Sequence, residues 1–154
     1  GAAEFHLIGK PVLRRVAEGI FDRAVNPAWT EEFLRDPRHH IVVALDGPVV
    51  VGFASGVHYL HPDKPPELWI NEVGVATTLQ HQGIGKRVLQ ALLQVGSDLG
   101  CQAAWVLTDR SNPAALRLYG SLGGVAEAGE TVLLTFPLSP DQPMERTGEP
   151  PAVW

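Results

Sequence analysis

The stretch from Leu68 to Leu99, LWINEVGVATTLQHQGIGKRVLQALLQVGSDL, decides the fold of this chain. Its first part, Leu68 to Val75, is an apolar run of strand length, and from Ile84 onward apolar residues recur at helical spacing. Between them lies a polar turn that contains two glycines, Gly83 and Gly85. The stretch therefore predicts a strand, a tight turn and an amphipathic helix.

The turn has the properties of an anion-binding site. Glycines at a strand-to-helix junction let the backbone approach a ligand closely, because no Cβ stands in the way. The helix start, Gln82 to Lys86, offers unpaired N–H groups and the positive end of the helix dipole. A plain turn would carry the same glycines, and neither the dinucleotide-binding glycine pattern nor the P-loop pattern occurs in the sequence. The turn predicts a phosphate site without identifying the nucleotide.

Two motifs, in order along the chain, resemble the signatures of the GNAT N-acetyltransferase superfamily. Val73-Gly74-Val75 followed by Gln80-x-x-Gly83-x-Gly85 resembles the family's acetyl-CoA signature. Further on, Asn112 precedes Tyr119 by seven residues, which resembles the second signature. The resemblance covers roughly Ile41 to Phe136.

The resemblance implies acetyl-CoA as co-substrate, held largely by the backbone. The amides of the turn would bind the pyrophosphate, and the strand backbone would pair with the pantetheine arm. The expected contacts are Val73, Val75, Gln80, Gln82, Gly83, Ile84, Gly85, Lys86 and Asn112. The side chains of Val73 and Val75 could equally be core residues, and Asn112 could be a helix N-cap. The chain departs from the family pattern at Thr77, often Pro, and at Gly124, usually Phe.

The remaining elements predict an α/β fold with a mixed sheet and helices in layers. The expected elements are an edge strand at Phe5–Ile8, an amphipathic helix from Pro11 to about Val25, a helix from the cap Thr30 to Arg35, a hairpin of Ile41–Leu45 and Val49–His58 with a loop slightly longer than two residues, a short buried strand at Ala103–Leu107, a helix capped by Ser111 or Asn112, and a final strand at Thr131–Phe136. Residues 1–136 form one expected domain and 137–154 a proline-rich tail. The resemblance implies the GNAT sheet, in which two central strands splay apart.

Composition narrows the class of partner. The net charge is −5, and the acids are concentrated between Ile20 and Val75, where eight acids face four bases. Gln80 to Arg110 instead carries +1. This balance argues against nucleic acid and favours a cationic acceptor, although acids also decorate any solvated surface. The chain has one cysteine and no apolar run of about 18 residues, so we expect a cytoplasmic location and no membrane segment. The histidine spacing predicts no metal site, and a homodimer is left open.

Two residues are candidates for proton transfer. Tyr119 stands where the resemblance places the acid that protonates the departing thiolate, although its helical position also suits a core aromatic. Glu72 is the candidate base, because a carboxylate on an apolar strand is costly unless it reaches water or a partner. Glu72 could instead be a structural hydrogen-bond acceptor, and His58 and His61 are rival bases. Asp109 and Glu67, with Glu72, are the expected acceptor-binding carboxylates.

The acceptor is suggested by the segment from Tyr59 to Val75. It resembles the aminoglycoside 3-N-acetyltransferases of type I, which implies an aminoglycoside, a polycation that suits the acidic half of the chain. A polyamine, another small amine or a peptide N-terminus are the alternatives. A non-catalytic acyl-CoA-binding module would keep the phosphate site and would need neither Glu72 nor Tyr119.

Overall fold

The computed structural model describes residues 5–9, 13–127 and 129–141. Its elements are β1 (Phe5–Gly9), α1 (Pro27–Arg35), β2 (His39–Asp46), β3 (Val49–Tyr59), β4 (Glu67–Val75), a 3₁₀ turn (Thr77–Leu79), α2 (Ile84–Asp98), β5 (Ala104–Val106) and α3 (Pro113–Ser121). The strands form one sheet in the order β1-β2-β3-β4-β5. Neighbouring strands are antiparallel except the parallel pair β4–β5. The expected mixed α/β architecture is confirmed.

The core lies between the sheet and α2. Ile84, Val88 and Leu92 follow one another at intervals of four along α2, and all three are buried. The helix lies very close to β3, since a Cβ added to Gly52 would come within 2.6 Å of Ile84 Cγ2. The opposite face of β3 carries Phe53. Within the described part of the chain, no helix is both long and apolar enough to cross a bilayer.

The prediction of a helix from Pro11 to Val25 is wrong for residues 13–25, which are not helical. Pro11 and Val12 lie outside the described residues. From Leu13 onward the chain makes turns and one parallel bridge, Val16 to Val50. The Val50 amide donates to the carbonyl of residue 15 at 2.9 Å, and its carbonyl accepts from the amide of residue 17 at 2.8 Å. The helical spacing was misleading because these backbone groups bond to β3, and the apolar side chains pack against the sheet.

The start of α1 also differs from the expectation. Thr30 was expected as the N-cap, but the cap is Asn26, whose Oδ1 accepts from the Trp29 amide at 3.0 Å. Pro27 occupies the first turn, where its missing N–H costs nothing. Asn26-Pro27 therefore begins this helix and does not end an earlier one.

The hairpin, the central strand and the next two helices form where the sequence predicts them. The hairpin loop has two residues, Gly47 and Pro48, because Asp46 still pairs with Val49; the longer loop expected there was wrong. β5 is shorter and more exposed than expected, with Ala104 open to solvent. The final strand expected at Thr131–Phe136 is absent, and these residues form exposed irregular chain. Of the expected tail, residues 142–154 lie outside the described part.

Candidate active site

A bulge in β4 determines which side chains reach the site. Ser55 pairs with Glu72 and Gly56 with Ile70, so Asn71 is an extra residue that reverses the alternation of faces. Before the bulge Leu68 faces α2, since a Cβ on Gly96 would lie 3.0 Å from Leu68 Cδ2.

Beyond the bulge, Val73 and Val75 are the residues of β4 that face α2. A Cβ on Gly85 of α2 would lie 3.6 Å from Val75 Cγ2 and 3.9 Å from Val73 Cγ1. Strict alternation from Leu68 would have pointed Glu72 and Gly74 toward α2. The bulge instead directs those two residues to the other face of the sheet.

β5 pairs along its whole length with the beginning of β4 only. Their register covers Leu68–Ile70 against Ala104–Val106, and β4 then continues to Val75 without β5 beside it. The Ala76 amide donates to the Val51 carbonyl at 2.8 Å, so the backbone of Ala76 points toward β3. Because backbone groups alternate sides along a strand, those of Val73 and Val75 point away from β3, into the gap beyond β5. They are accessible to an extended ligand.

The loop between β4 and α2 is the segment for which the sequence predicts an anion cradle. His81 and Gly83 both have positive φ, 67° and 79°, which folds the chain sharply before α2. The first intrahelical bond runs from the Arg87 amide to the Gly83 carbonyl, leaving the amides of the first turn unpaired by helix geometry. A Cβ on Gly83 would meet nothing within 4 Å, so the space in front of the turn is open. The loop can bind a phosphate through its backbone.

A groove of about 640 Å³ runs from this loop along the end of β4. Its other wall is α3, whose N-cap is Asn112, and the Asn112 Oδ1 accepts from the Ala115 amide at 3.2 Å. Tyr119 is half-buried in the same wall, and burial raises the pKa of its phenol. The predicted site residues in the walls are Val73, Val75, Gln80, Gly83, Ile84, Gly85, Lys86, Asn112 and Tyr119.

Glu72 is on the sheet face opposite α2 and is half-buried. Burial, and to a lesser extent the negative charge of Asp22, raise the pKa of Glu72 above its ordinary value. Asp22 belongs to the turn of residues 18–23, which packs on the same face, because a Cβ on Gly74 would lie 2.7 Å from the carbonyl oxygen of Ile20. Asp22 also lines the groove. Two carboxylates thus stand beside the end of β4.

Five other sequence candidates lie away from this groove or outside its walls. Glu67, at the opposite end of β4, accepts from Tyr59 at 2.7 Å and from Gln102 at 2.8 Å, and these bonds lower its pKa. Asp109 is exposed and caps the turn before α3, where hydrogen bonds from Ser111 lower its pKa.

The histidines and Gln82 complete that group. His58 is 2.7 Å from His40 at the far end of β3, and exposed His61 pairs with Asp63 in the loop that follows. Gln82 is exposed between His81 and Gly83 but is not in the groove wall.

The sequence analysis missed Asp22 and Arg117, both of which line the groove. Asp22 was assigned to a helix that does not form. Gly19, with φ of 81°, was the available signal, because a glycine inside a helical pattern weakens the prediction of a helix. Arg117 lies two residues before Tyr119 on α3. An exposed arginine on a helix has no distinguishing pattern, so the sequence carries no signal for its place in the groove wall.

Comparison with known proteins identifies the family. The model of the acetyltransferase (GNAT) family matches residues 11–123. The chain belongs to the GNAT family. The GNAT domain is 38% identical over 97 residues to N-alpha-acetyltransferase RimI of Mycobacterium tuberculosis, covering 63% of this chain and 59% of that protein. It is 35% identical over 107 residues to the mycothiol acetyltransferase of Pseudarthrobacter chlorophenolicus, covering 69% of this chain and 33% of the relative.

The GNAT fold is also supported by a solved structure. An aminoglycoside acetyltransferase from an uncultured soil metagenomic sample superposes with a TM-score of 0.68 at 24% identity, covering 76% of this chain and 77% of that one. The chain spans a third to three-fifths of the length of the two sequence relatives above. GNAT enzymes take their acetyl group from acetyl-CoA. The unpaired amides, the open space at Gly83 and the gap-facing backbone of β4 fit its pyrophosphate and its pantetheine arm.

Proposed function

We propose that this GNAT domain transfers the acetyl group of acetyl-CoA to a primary amine by direct attack. The observation that carries the proposal is one groove whose walls hold an amide cradle, a free strand backbone and Tyr119, with the raised-pKa carboxyl of Glu72 beside it. A module that only binds acyl-CoA would have no use for the last two groups.

Each residue has one task in the proposed reaction. Acetyl-CoA supplies an acyl group that is already activated as a thioester. The amides of Gly83 to Lys86 bind the pyrophosphate, and the backbone of Val73 and Val75 holds the arm along β4. Glu72 takes the proton from the acceptor's ammonium group, because only the neutral amine is a nucleophile. Tyr119, kept protonated by burial, gives a proton to the departing thiolate, and the second proton that the nitrogen loses as the amide forms returns through solvent to the Tyr119 phenolate.

We propose a small cationic amine as acceptor, and specifically an aminoglycoside acetylated at the 3-N position. The support is the likeness of the segment from Tyr59 to Val75 and the two carboxylates at one end of the groove, Asp22 in its wall and Glu72 beside it. The wall draws on few of the acids in the acidic half of the chain. Glu31, Asp36 and Asp63 form local ion pairs elsewhere, and Glu67 bonds to Tyr59. The acceptor proposal therefore depends on Asp22 and Glu72.

A peptide N-terminus is the second candidate acceptor. The relative RimI, at 38% identity, is named as an N-alpha-acetyltransferase, whereas the aminoglycoside acetyltransferase neighbour, at 24%, supports the fold alone. Peptides differ from aminoglycosides in carrying amide groups along the chain and fewer positive charges.

An acetyl-transfer assay decides between these acceptors. The chain is mixed with acetyl-CoA and tobramycin, spermidine, 2,4-diaminobutyrate or a short peptide with a free N-terminus, and thiol release is followed. We expect turnover with tobramycin, and mass spectrometry with fragmentation then identifies the acetylated nitrogen. Turnover of the peptide alone would move the acceptor to protein N-termini. Acetyl-CoA binding without turnover of any amine would contradict the catalytic proposal.

A further inference from the structure

We infer that Asp22 is the acceptor-binding carboxylate of the groove, which holds an ammonium group of the acceptor beside Glu72. The inference rests on the proposed function and adds to it a residue outside both family motifs. It also selects among acceptors, because it requires a positive charge close to the reacting nitrogen. Asp22 is a positioning residue, and Glu72 remains the base.

The position of Asp22 is fixed by the core. Ile20 is fully buried, and the ring of Phe21 lies 4.4 Å from that of Phe53 on β3. Gly19 meets the turn after β4, since a Cβ on it would lie 3.2 Å from Thr77 Cγ2. The backbone that carries the Asp22 carboxylate is therefore in place before the ligand arrives, so the turn itself loses little ordering entropy on binding.

Within the part of the chain that the structure describes, neither carboxylate has a protein partner. Among the described residues, Asp22 and Glu72 have no hydrogen bond or ion pair. Asp22 is exposed where it lines the groove, whereas Glu72 is half-buried. A half-buried carboxyl without a donor is unfavourable, and an ammonium group with three N–H donors would satisfy Glu72 and pair with the charge of Asp22. The other ionisable groups in the groove walls are His81, Lys86, Arg117 and Tyr119. The three nitrogen-bearing side chains among them, His81, Lys86 and Arg117, lie on the cradle loop, the start of α2 and α3, so the acidic end of the groove is distinct from its basic end.

The charge of Asp22 serves the base as well as the acceptor. It contributes to the raised pKa of Glu72, so Glu72 is a stronger base than an ordinary glutamate. Once Glu72 has taken the proton it is neutral, and Asp22 then retains the only negative charge of the pair. A second ammonium group of the acceptor would therefore stay paired with Asp22 before and after Glu72 takes the proton. This favours acceptors with two neighbouring amino groups over monoamines.

The test compares Asp22→Asn with Glu18→Gln, which removes the same charge from an exposed residue of the same turn outside the groove walls. With tobramycin and spermidine as acceptors, we expect Asp22→Asn to raise the KM for the amine about tenfold, since a charge pair near 4 Å gains more than its water value once solvent is displaced. The KM for acetyl-CoA stays constant. The acid limb of kcat/KM moves to lower pH, because the pKa of Glu72 falls. Asp22→Glu restores part of the loss.

The outcomes separate this inference from the proposed function. An unchanged amine KM in Asp22→Asn, or an equal rise in Glu18→Gln, would overturn the role of Asp22 while acetyl transfer stands. If the parent acetylates neither amine, calorimetry of tobramycin binding decides. Binding weakened by Asp22→Asn and not by Glu18→Gln supports the inference, whereas no binding, or equal binding, overturns it.

Discussion

At the residue scale, the two tyrosines of the chain make a matched pair. Tyr119 lies in the groove wall with a phenol whose pKa is raised by burial, so it is protonated at neutral pH and able to donate. We expect Tyr119→Phe to lower kcat by tens-fold at most. This is less than the contribution of about 10²-fold that is typical of acid–base groups, because a thiolate leaves readily. The KM for acetyl-CoA should not change.

Tyr59→Phe is the control, because Tyr59 donates to Glu67 at the other end of β4. Its kcat should equal that of the parent. Equal kcat in Tyr119→Phe would instead mean that solvent protonates the thiolate and that Tyr119 is a packing residue.

Glu72 can be tested by pH. We expect Glu72→Gln to reduce kcat most near neutral pH, where the amine is protonated, and to recover partly as pH rises and free amine accumulates. A deficit that stays constant with pH would mean that Glu72 binds the cation without taking its proton.

The raised pKa of Glu72 also fixes how the stability of the parent, relative to that of Glu72→Gln, changes with pH. A carboxyl whose pKa is raised on folding supplies stability that is complete below its ordinary pKa and is lost as pH rises through the raised value. Across that window the Tm of the parent should fall relative to that of Glu72→Gln. At neutral pH the variant should be at least as stable as the parent, which also shows that any rate loss is not unfolding.

Some of the candidate site residues could be predicted from the sequence and others could not. Motif spacing predicts the cradle residues, because backbone chemistry at a strand-to-helix turn requires glycines at fixed positions, and it predicts Tyr119 from its distance to Asn112. Asp22 could not be found this way, since its role depends on a turn docked on β4 from far along the chain. Glu67 was expected at the acceptor, but it lies at the opposite end of β4 from Val75 and the groove.

At the scale of elements, the two ends of α2 provide another matched pair. Gly83 before the helix and Gly100 after it have nearly equal φ, 79° and 80°, and a Cβ on either meets nothing within 4 Å. Gly83→Ala and Gly100→Ala should therefore each cost roughly 1–2 kcal/mol of stability for a left-handed residue. Only Gly83→Ala should weaken acetyl-CoA binding, by about tenfold or more, since strain there distorts the amide cradle. Calorimetric titration with acetyl-CoA measures the affinity of both variants, and chemical denaturation measures their stability. Equal affinities in the two variants would place the pyrophosphate elsewhere.

The same dipeptide was interpreted in two ways from the sequence. Asn112-Pro113 was expected to open a helix and does, and Asn26-Pro27 also opens one, although it was expected to end one. The apolar spacing before residue 26 outweighed the capping pattern. That spacing serves contacts with β3, which local sequence cannot reveal.

The bulge at Asn71 is the second feature beyond the reach of local pattern. The run from Leu68 to Val75 predicts a strand, and one extra residue within it reverses which side chains face α2. Without the bulge, Glu72 would face the helix and the valines would face Asp22. Its position depends on the pairing between β3 and β4.

At the scale of the whole molecule, the mixed sheet follows from elements whose apolar patterns are strong, namely the hairpin, β4 and α2. The final strand does not, although Thr131–Phe136 has the composition of one. Val132 and Phe136 are 72% and 76% exposed, and β5, the edge strand nearest the gap, is three residues long. A strand needs a partner edge as well as a suitable composition, and a three-residue edge offers few ladder bonds.

The exposure of this segment leads to the last prediction. Because Leu134 and Phe136 are exposed, replacing both with serine should change the free energy of unfolding by no more than about 0.5 kcal/mol per site. Leu92→Ala, in the fully buried stripe of α2, should cost about 2–5 kcal/mol and serves as the reference. Chemical denaturation of the full chain measures both, and sedimentation at the same concentrations reports whether the parent self-associates through these side chains. A loss in the serine variant as large as that of Leu92→Ala would mean that the segment packs in solution as the strand that its sequence predicts.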